Sequence, residues 1–265
     1  MPVDPEARLS LYEHLDELRK RIVWCVIALA VGLLIAAIFS NRIFDLLLYP
    51  LRRVPGLDPS AYKITTFSPT EPFMISLKVW IVAAVLMASP FLIWQLWAYV
   101  GPAFSSNEKK YFYPIVISTS ALFLGGVVFG YLVVLPRGLQ FLLGFNAGSF
   151  NIQNRATDYF TFVALFILAF GAVFEMPVIL VLLAKVGVID DRWLKKNRRW
   201  AIVIMAIAAA VITPSQDPFS MLAMLVPLVV LYELAIPLAR RVAPKKETAV
   251  RREDTGDDDL SRAPA

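Results

Sequence analysis

One cysteine and one histidine are all that 265 residues contain, and their scarcity removes whole classes of chemistry. Cys25 alone cannot close an intrachain disulfide or build a cysteine metal cluster. His14 alone leaves no material for a multi-histidine zinc site or for most histidine-based triads. Charge is scarce too: 18% of residues are Asp, Glu, Lys or Arg against 58% hydrophobic, with a mean hydropathy of +0.64. A soluble domain carries roughly 25% charge, so the balance predicts an integral membrane protein. The apolar runs are continuous rather than alternating, which predicts membrane helices and not the in-and-out strands of a barrel. The formal charge of +5 arises from cations flanking apolar runs, without a basic domain, so it reads as topology and not as nucleic-acid binding. No cleavable signal peptide is expected, because a charged lead precedes the first apolar run and no small-x-small exit follows it.

The chain is organised around its first charged stretch, residues 11–21, which runs unbroken into an apolar span over 22–39. On a helical period Leu11, Leu15, Leu18 and Ile22 share a face, with Asp16 and Lys20, and Glu17 and Arg21, as i,i+4 pairs. The reading from the residues is an interfacial anchor welded to a membrane helix. A proline-containing loop over 41–67 follows, with Ile43, Phe44 and Leu46 to Leu48 able to lie in the interface as a short amphipathic helix. Ser68, Pro69 and Glu71 have capping-box spacing and predict the start of a second span over 70–100. A further box, Ser105 to Glu108, leads into a third span over 111–135, whose exit Pro136 and Gly138 loosen.

Thr157 or Asp158 is expected to cap a fourth span over 159–184, and Asp190 and Asp191 to open a fifth helix. Asp217 is the expected N-cap, and Pro218 the first helical residue, of a sixth span ending at 239. The fifth and sixth spans together look short, which predicts local thinning of the bilayer beside them. The tail from 240 is rich in charge and expected to be disordered. The organisation is thus a cytoplasmic segment 1–21, a six-helix membrane domain 22–239 and a tail 240–265. Most of the 26 Lys and Arg fall before the first span, after the second, around 185–199 and in the tail. Only Arg42, Arg52, Arg53, Lys63, Arg137 and Arg155 fall on the other side, so both termini are expected in the cytoplasm.

Glu175 is the acid that stands deepest in an apolar run. A charge at that depth costs about 2.5–3.5 kcal/mol on insertion scales, so the side chain must face protein or water. Pro177 removes a backbone donor and predicts a kink beside it. A proton-coupled carrier of small solutes using Glu175 is one reading, although no internal repeat accompanies it. A membrane scaffold is another. Intramembrane proteolysis lacks its paired aspartates, its serine with a base, or its zinc ligands.

Four segments in order resemble TatC, the multispanning component of the twin-arginine protein translocase. They are His14-Leu-Asp-Glu-Leu-Arg-Lys-Arg21, Thr70-Glu-Pro-Phe73, Gln95-Leu-Trp-Ala-Tyr99 through Glu108, and Phe170-Gly171 through Phe174-Glu-Met-Pro177. The resemblance spans residues 11–239. It implies an all-α, six-span inner-membrane receptor for folded precursors bearing twin-arginine signal peptides. It further implies TatA and TatB as single-span partners in an oligomeric assembly, the proton-motive force as the drive, and no catalytic centre, cofactor or nucleic acid.

By the same resemblance Glu17 and Glu108 recognise the arginine pair, with Arg19, Gln95 and Tyr99 beside them. Carboxylates are the natural bidentate partners of planar guanidinium forks. Glu17 is expected to pair with Arg21 when the site is empty and to exchange it for a ligand arginine. Glu175 would meet polar groups of a partner helix, and Pro50 would shape the outer loop. The chain departs from the family pattern at Gly101-Pro102, at Lys109 after the acid, and at Tyr99 where Phe is common.

Overall fold

The apolar runs fold as ten α-helices among the described residues, 11–54, 64–100, 112–145, 154–213 and 217–242 of a computed structural model. Helix α1 (Leu11–Ile38) carries the charged stretch and the first apolar run as one unbroken rod. It packs along α3 (Glu71–Val100), where Gly32 lets the two backbones approach: a Cβ there would lie 3.1 Å from Ala84 Cα. Five helical runs are long and apolar enough to cross a membrane, including 12–38, 71–99, 112–144, 156–185 and 218–242. The protein is therefore an all-α polytopic membrane protein.

Between α1 and α3 the sequence suggested a loop with a short helix, whereas α2 (Ser40–Arg52) occupies thirteen residues and includes Pro50 in its last turn. Proline has no N–H, so the carbonyl four residues earlier, that of Leu46, loses its helical donor. The hydroxyl of Tyr131 donates to that carbonyl at 2.7 Å, and Tyr159 donates to the carbonyl of Leu47 at 2.8 Å. Pro50 thus opens the acceptor that ties α2 down. The same logic recurs inside α3, where Pro90 frees the Leu86 carbonyl and Ser89 Oγ donates to it at 2.8 Å.

The third apolar run continues further than the sequence suggested. Helix α4 (Phe112–Phe129) passes through a π-helical turn (Gly130–Val134) into α5 (Leu135–Gly144), with Pro136 in the first turn of α5. The extra residue of the π turn absorbs the missing proline donor, so Pro136 marks an adjustment and not an exit. Two very short strands, β1 (Ile64–Thr65) and β2 (Asn154–Arg155), pair in parallel beside α2. The next helix, α6 (Ala156–Val173), starts at Ala156, and Thr157 does not cap it: its hydroxyl and amide both turn to Glu71.

The second span begins at Glu71, after Pro69, and the predicted reciprocal box is not made. Ser68 Oγ instead contacts Thr70 Oγ1 at 3.0 Å, and the Glu71 carboxylate accepts from the amide of Phe67 at 2.7 Å. Glu71 is only 5% exposed. It also accepts from Arg155 Nε at 3.0 Å, so one acid joins α3, β2 and α6. These bonds hold the strand pair over the ends of the two helices.

Helices α4 and α6 meet at glycines. A Cβ on Gly126 would lie 2.6 Å from the Phe170 carbonyl oxygen and 2.7 Å from Phe174, and one on Gly130 would lie 2.7 Å from Phe170. Small residues permit such close approach in membranes, where packing and not the hydrophobic effect drives helix association. Gly126→Ala is expected to lower stability by about 1–3 kcal/mol through forced separation of the two helices. Gly125→Ala, whose Cβ meets nothing within 4 Å, should leave the melting temperature of the purified protein in detergent unchanged. Equal melting of the two variants would refute the packing argument.

The expected fifth helix is two. Asp190 caps α8 (Asp191–Lys196) by accepting from Trp193 N at 2.6 Å, and Asn197 separates it from α9 (Arg198–Ile212). Helix α9 is about 22 Å long at 1.5 Å per residue, short of a hydrocarbon core of about 30 Å. Helix α10 (Pro218–Val242), 25 residues long, is not short. The shortness that motivates bilayer thinning therefore belongs to α9 alone. Asp217 Oδ1 accepts from Ser220 N at 2.7 Å at the start of α10, which runs three residues past the boundary read at 239. Tyr232 donates to the Leu194 carbonyl at 2.8 Å, and Arg198 pairs with Glu233 at 2.8 Å, fastening α8 and α9 to α10.

Candidate functional site

Packing of α1 against α3 brings two of the sequence-derived segments together at one end of the bundle. Arg21 follows Glu17 by four residues and therefore sits above it on the same helix face. Its Nε donates to Glu17 Oε1 at 3.0 Å, and a second guanidinium nitrogen also contacts that oxygen. The fork then reaches across to α3, where it donates to Gln95 Oε1 at 3.0 Å and to the Ala98 carbonyl at 3.1 Å. Gln95 is buried, at 7% exposure, so this bridge is shielded from water on the α3 side.

One turn earlier on α1, the His14 ring stacks on Tyr99, with centroids 4.4 Å apart and planes 13° from parallel. Glu17, Gln95 and Tyr99 thus belong to one cluster. The residues that join them are Arg21, expected from its i,i+4 spacing to pair with Glu17, and His14, which stood in the quoted motif without a role. The i,i+3 spacing of His14 to Glu17 was the available signal. Arg19 is exposed and points away from this bridge by helical position. Asp16 and Lys20 pair separately at 2.6 Å, both well exposed, an arrangement worth little to stability. Glu108 lies outside the described residues.

The expected pairing of Glu17 with Arg21 in the empty site is present. Arg21 is held by Glu17, Gln95 and the Ala98 carbonyl together, so displacing it would break contacts to two helices. Both of its recorded contacts with Glu17 use Oε1. The contacts of Arg21 thus fix the orientation of the carboxylate through one of its two oxygens. The chemistry available is recognition of a planar cation by an oriented anion in partial shelter.

Glu175 lies far along the chain from this cluster, in the break between α6 and α7 (Met176–Lys185). Phe174 and Glu175 form a turn, Glu175 N donates to the Ala172 carbonyl at 3.1 Å, and Pro177 occupies the first turn of α7. Pro177 leaves the Val173 carbonyl without its helical donor, which is the physical cause of the break. The Glu175 side chain is half-buried, and its Oε1 is buried without a hydrogen-bond partner among the described residues. A polar group in that condition is a standing site for a donor brought by another helix. Phe129, Phe170 and Phe174 pack beside this break, with ring centroids 5.5 and 6.2 Å apart across α4 and α6.

Comparison with known proteins converges on one family. The family model described as Sec-independent protein translocase protein (TatC) matches residues 13–227. Among curated relatives, the Sec-independent protein translocase protein TatC of Koribacter versatilis is 36% identical over 89% of this chain and 87% of its own. The protein of the same name from Desulforapulum autotrophicum is 38% identical over 92% of this chain and 88% of its own. A solved structure, described as the crystal structure of the twin arginine translocase receptor TatC, superposes with a TM-score of 0.76 at 36% identity. It covers 87% of this chain and 99% of that one.

Proposed function

Because the chain belongs to the TatC family of Sec-independent protein translocase proteins, we propose that it is the receptor that binds twin-arginine signal peptides for export of folded precursors across the bacterial inner membrane. As a translocase component it is a transport protein and not a catalyst. The observation that carries the receptor reading is the half-buried Glu17 carboxylate, oriented through Arg21 by Gln95 and the Ala98 carbonyl of a second helix. Glu108 supplies the second carboxylate in this reading, and His14 stacked on Tyr99 forms a wall of the Glu17 cluster.

The charge distribution supports placing this cluster, both termini and the α7 to α8 connection on the cytoplasmic side, with six crossings of which α9 is the shortest. The strand pair, α2 and Glu71 then face the other side. The apolar part of the signal peptide lies along the spans toward Glu175, whose Oε1, without a partner among the described residues, accepts a hydrogen bond from the peptide or from TatA or TatB. The proton-motive force drives passage, and the partners supply the route. A carrier using Glu175 for small solutes is the weaker reading, because the oriented cluster at Glu17 has no role in it.

The receptor reading is tested by co-purification of the full-length chain with a labelled twin-arginine signal peptide and its twin-lysine counterpart. The arginine peptide should bind about tenfold more tightly, since only guanidinium makes the bidentate contact. Equal retention of the two peptides would reject the carboxylate-reading mechanism.

A further inference from the structure

On the cation-rich side, the ends of α3 and α10, the length of α7 and the start of α4 enclose a second feature, apart from the bridge between Arg21 and Glu17. It is a cavity of about 420 Å³ lined by the apolar Trp97, Ile115, Val178 and Leu182 together with the cationic Lys185 and Arg241. Trp97 is two residues from Gln95, so about 200° of helical rotation separates them. The cavity therefore opens from the opposite face of α3 to the one that holds Arg21 and Glu17.

We propose that this cavity is a binding site for an anionic phospholipid, with the headgroup phosphate between Lys185 and Arg241 and the start of an acyl chain against Trp97, Val178 and Leu182. The occupant must pair an anion with an apolar body, because two cations and several apolar side chains line the same cavity. A twin-arginine segment carries the wrong charge to meet Lys185 and Arg241. A soluble phosphate would leave the pocket unfilled. An anionic lipid meets both demands, and the cytoplasmic leaflet offers such lipids to juxtamembrane cations. The surrounding surface faces the same medium: Ile179 on α7 and Leu238 and Val242 on α10 are exposed apolar side chains. The cavity joins the ends of α3, α4, α7 and α10, so the lipid would brace the α7 and α10 pair against α3 and α4.

The test is native mass spectrometry of the full-length chain released from detergent after titration with phosphatidylglycerol, phosphatidylethanolamine or inorganic phosphate. Phosphatidylglycerol should be retained preferentially, and the double variant Lys185→Gln, Arg241→Gln should weaken its binding roughly thirtyfold. The charge-preserving pair Lys185→Arg, Arg241→Lys should retain it, and Val178→Phe, which fills the apolar part without altering charge, should lose it. Equal retention of the two lipids would overturn the proposal. So would phosphate competing as well as the lipid, or phosphatidylglycerol binding unchanged in either the Gln pair or Val178→Phe. If the Gln pair does not fold, Val178→Phe and the lipid comparison decide the question by themselves.

Discussion

Glu17→Ala is expected to weaken binding of a twin-arginine peptide to the purified full-length chain by about ten- to a hundredfold. That range corresponds to the roughly 1.5–3 kcal/mol of a hydrogen bond to a charged group. The argument rests on the proposed role of Glu17 and on its setting. An exposed, freely rotating carboxylate would contribute less, since surface ion pairs are screened and must order two side chains. Glu17 is 28% exposed and clasped by Arg21, which Gln95 and the Ala98 carbonyl hold in turn. The ordering has been done before the ligand arrives.

Removing the carboxylate also leaves the Arg21 guanidinium facing the incoming arginines, which adds repulsion to the lost attraction. Glu17→Gln keeps the shape and one acceptor but not the charge, and should fall between the parent and the alanine variant. Site-specific crosslinking or calorimetric titration, with melting temperature as the folding control, reads the result. Unaltered affinity in a folded Glu17→Ala protein would remove Glu17 from the site.

The largest expected effect on stability is at the opposite end of the bundle. Glu71→Ala should lower the melting temperature more than any other single change at this end, because it strands several donors at once. The amides of Phe67 and Thr157 and the Thr157 hydroxyl all converge on this buried carboxylate. Arg155 also contacts it, but is half exposed and can turn to water, so its share is small. Glu71→Gln keeps an acceptor oxygen and should recover part of the loss. Arg155→Ala should cost much less than either. The measurement is thermal melting in detergent together with amide hydrogen exchange at residues 64, 65, 154 and 155, which should lose protection in Glu71→Ala. A melting temperature for Glu71→Ala equal to that of Arg155→Ala would show that the acid does not organise this end.

Much of this architecture was legible along the chain because its causes are local. A proline removes its own N–H wherever it stands, so a kink beside Glu175 could be expected from Pro177 alone. Asp190 and Asp217 cap helices through amides three residues on. The long apolar runs declare membrane helices by length and composition. The charged lead before the first span and the motifs around it point to the family, because each is a contiguous string.

The same local logic misled where a residue had a stronger distant option. Glu71 and Thr157 both carry capping chemistry for their own helices, yet they bond each other across 86 residues. Pro136 signalled an exit, but a π turn absorbed it. Asn197 split a helix that the charge pattern read as continuous.

By itself the sequence determined the membrane class, the helical runs, the kink beside Glu175 and the chemistry in hand at Glu17, since these depend on composition and on contacts within about one helical turn. Only the tertiary structure decided which faces meet. The approach of α1 to α3 at Gly32 sets Arg21 between Glu17 and Gln95, across 74 residues, and so turns a pair of helical salt-bridge partners into an oriented carboxylate. No i,i+4 pattern specifies that pairing, because it arises from the packing of two whole helices and not from the preference of either strand of sequence.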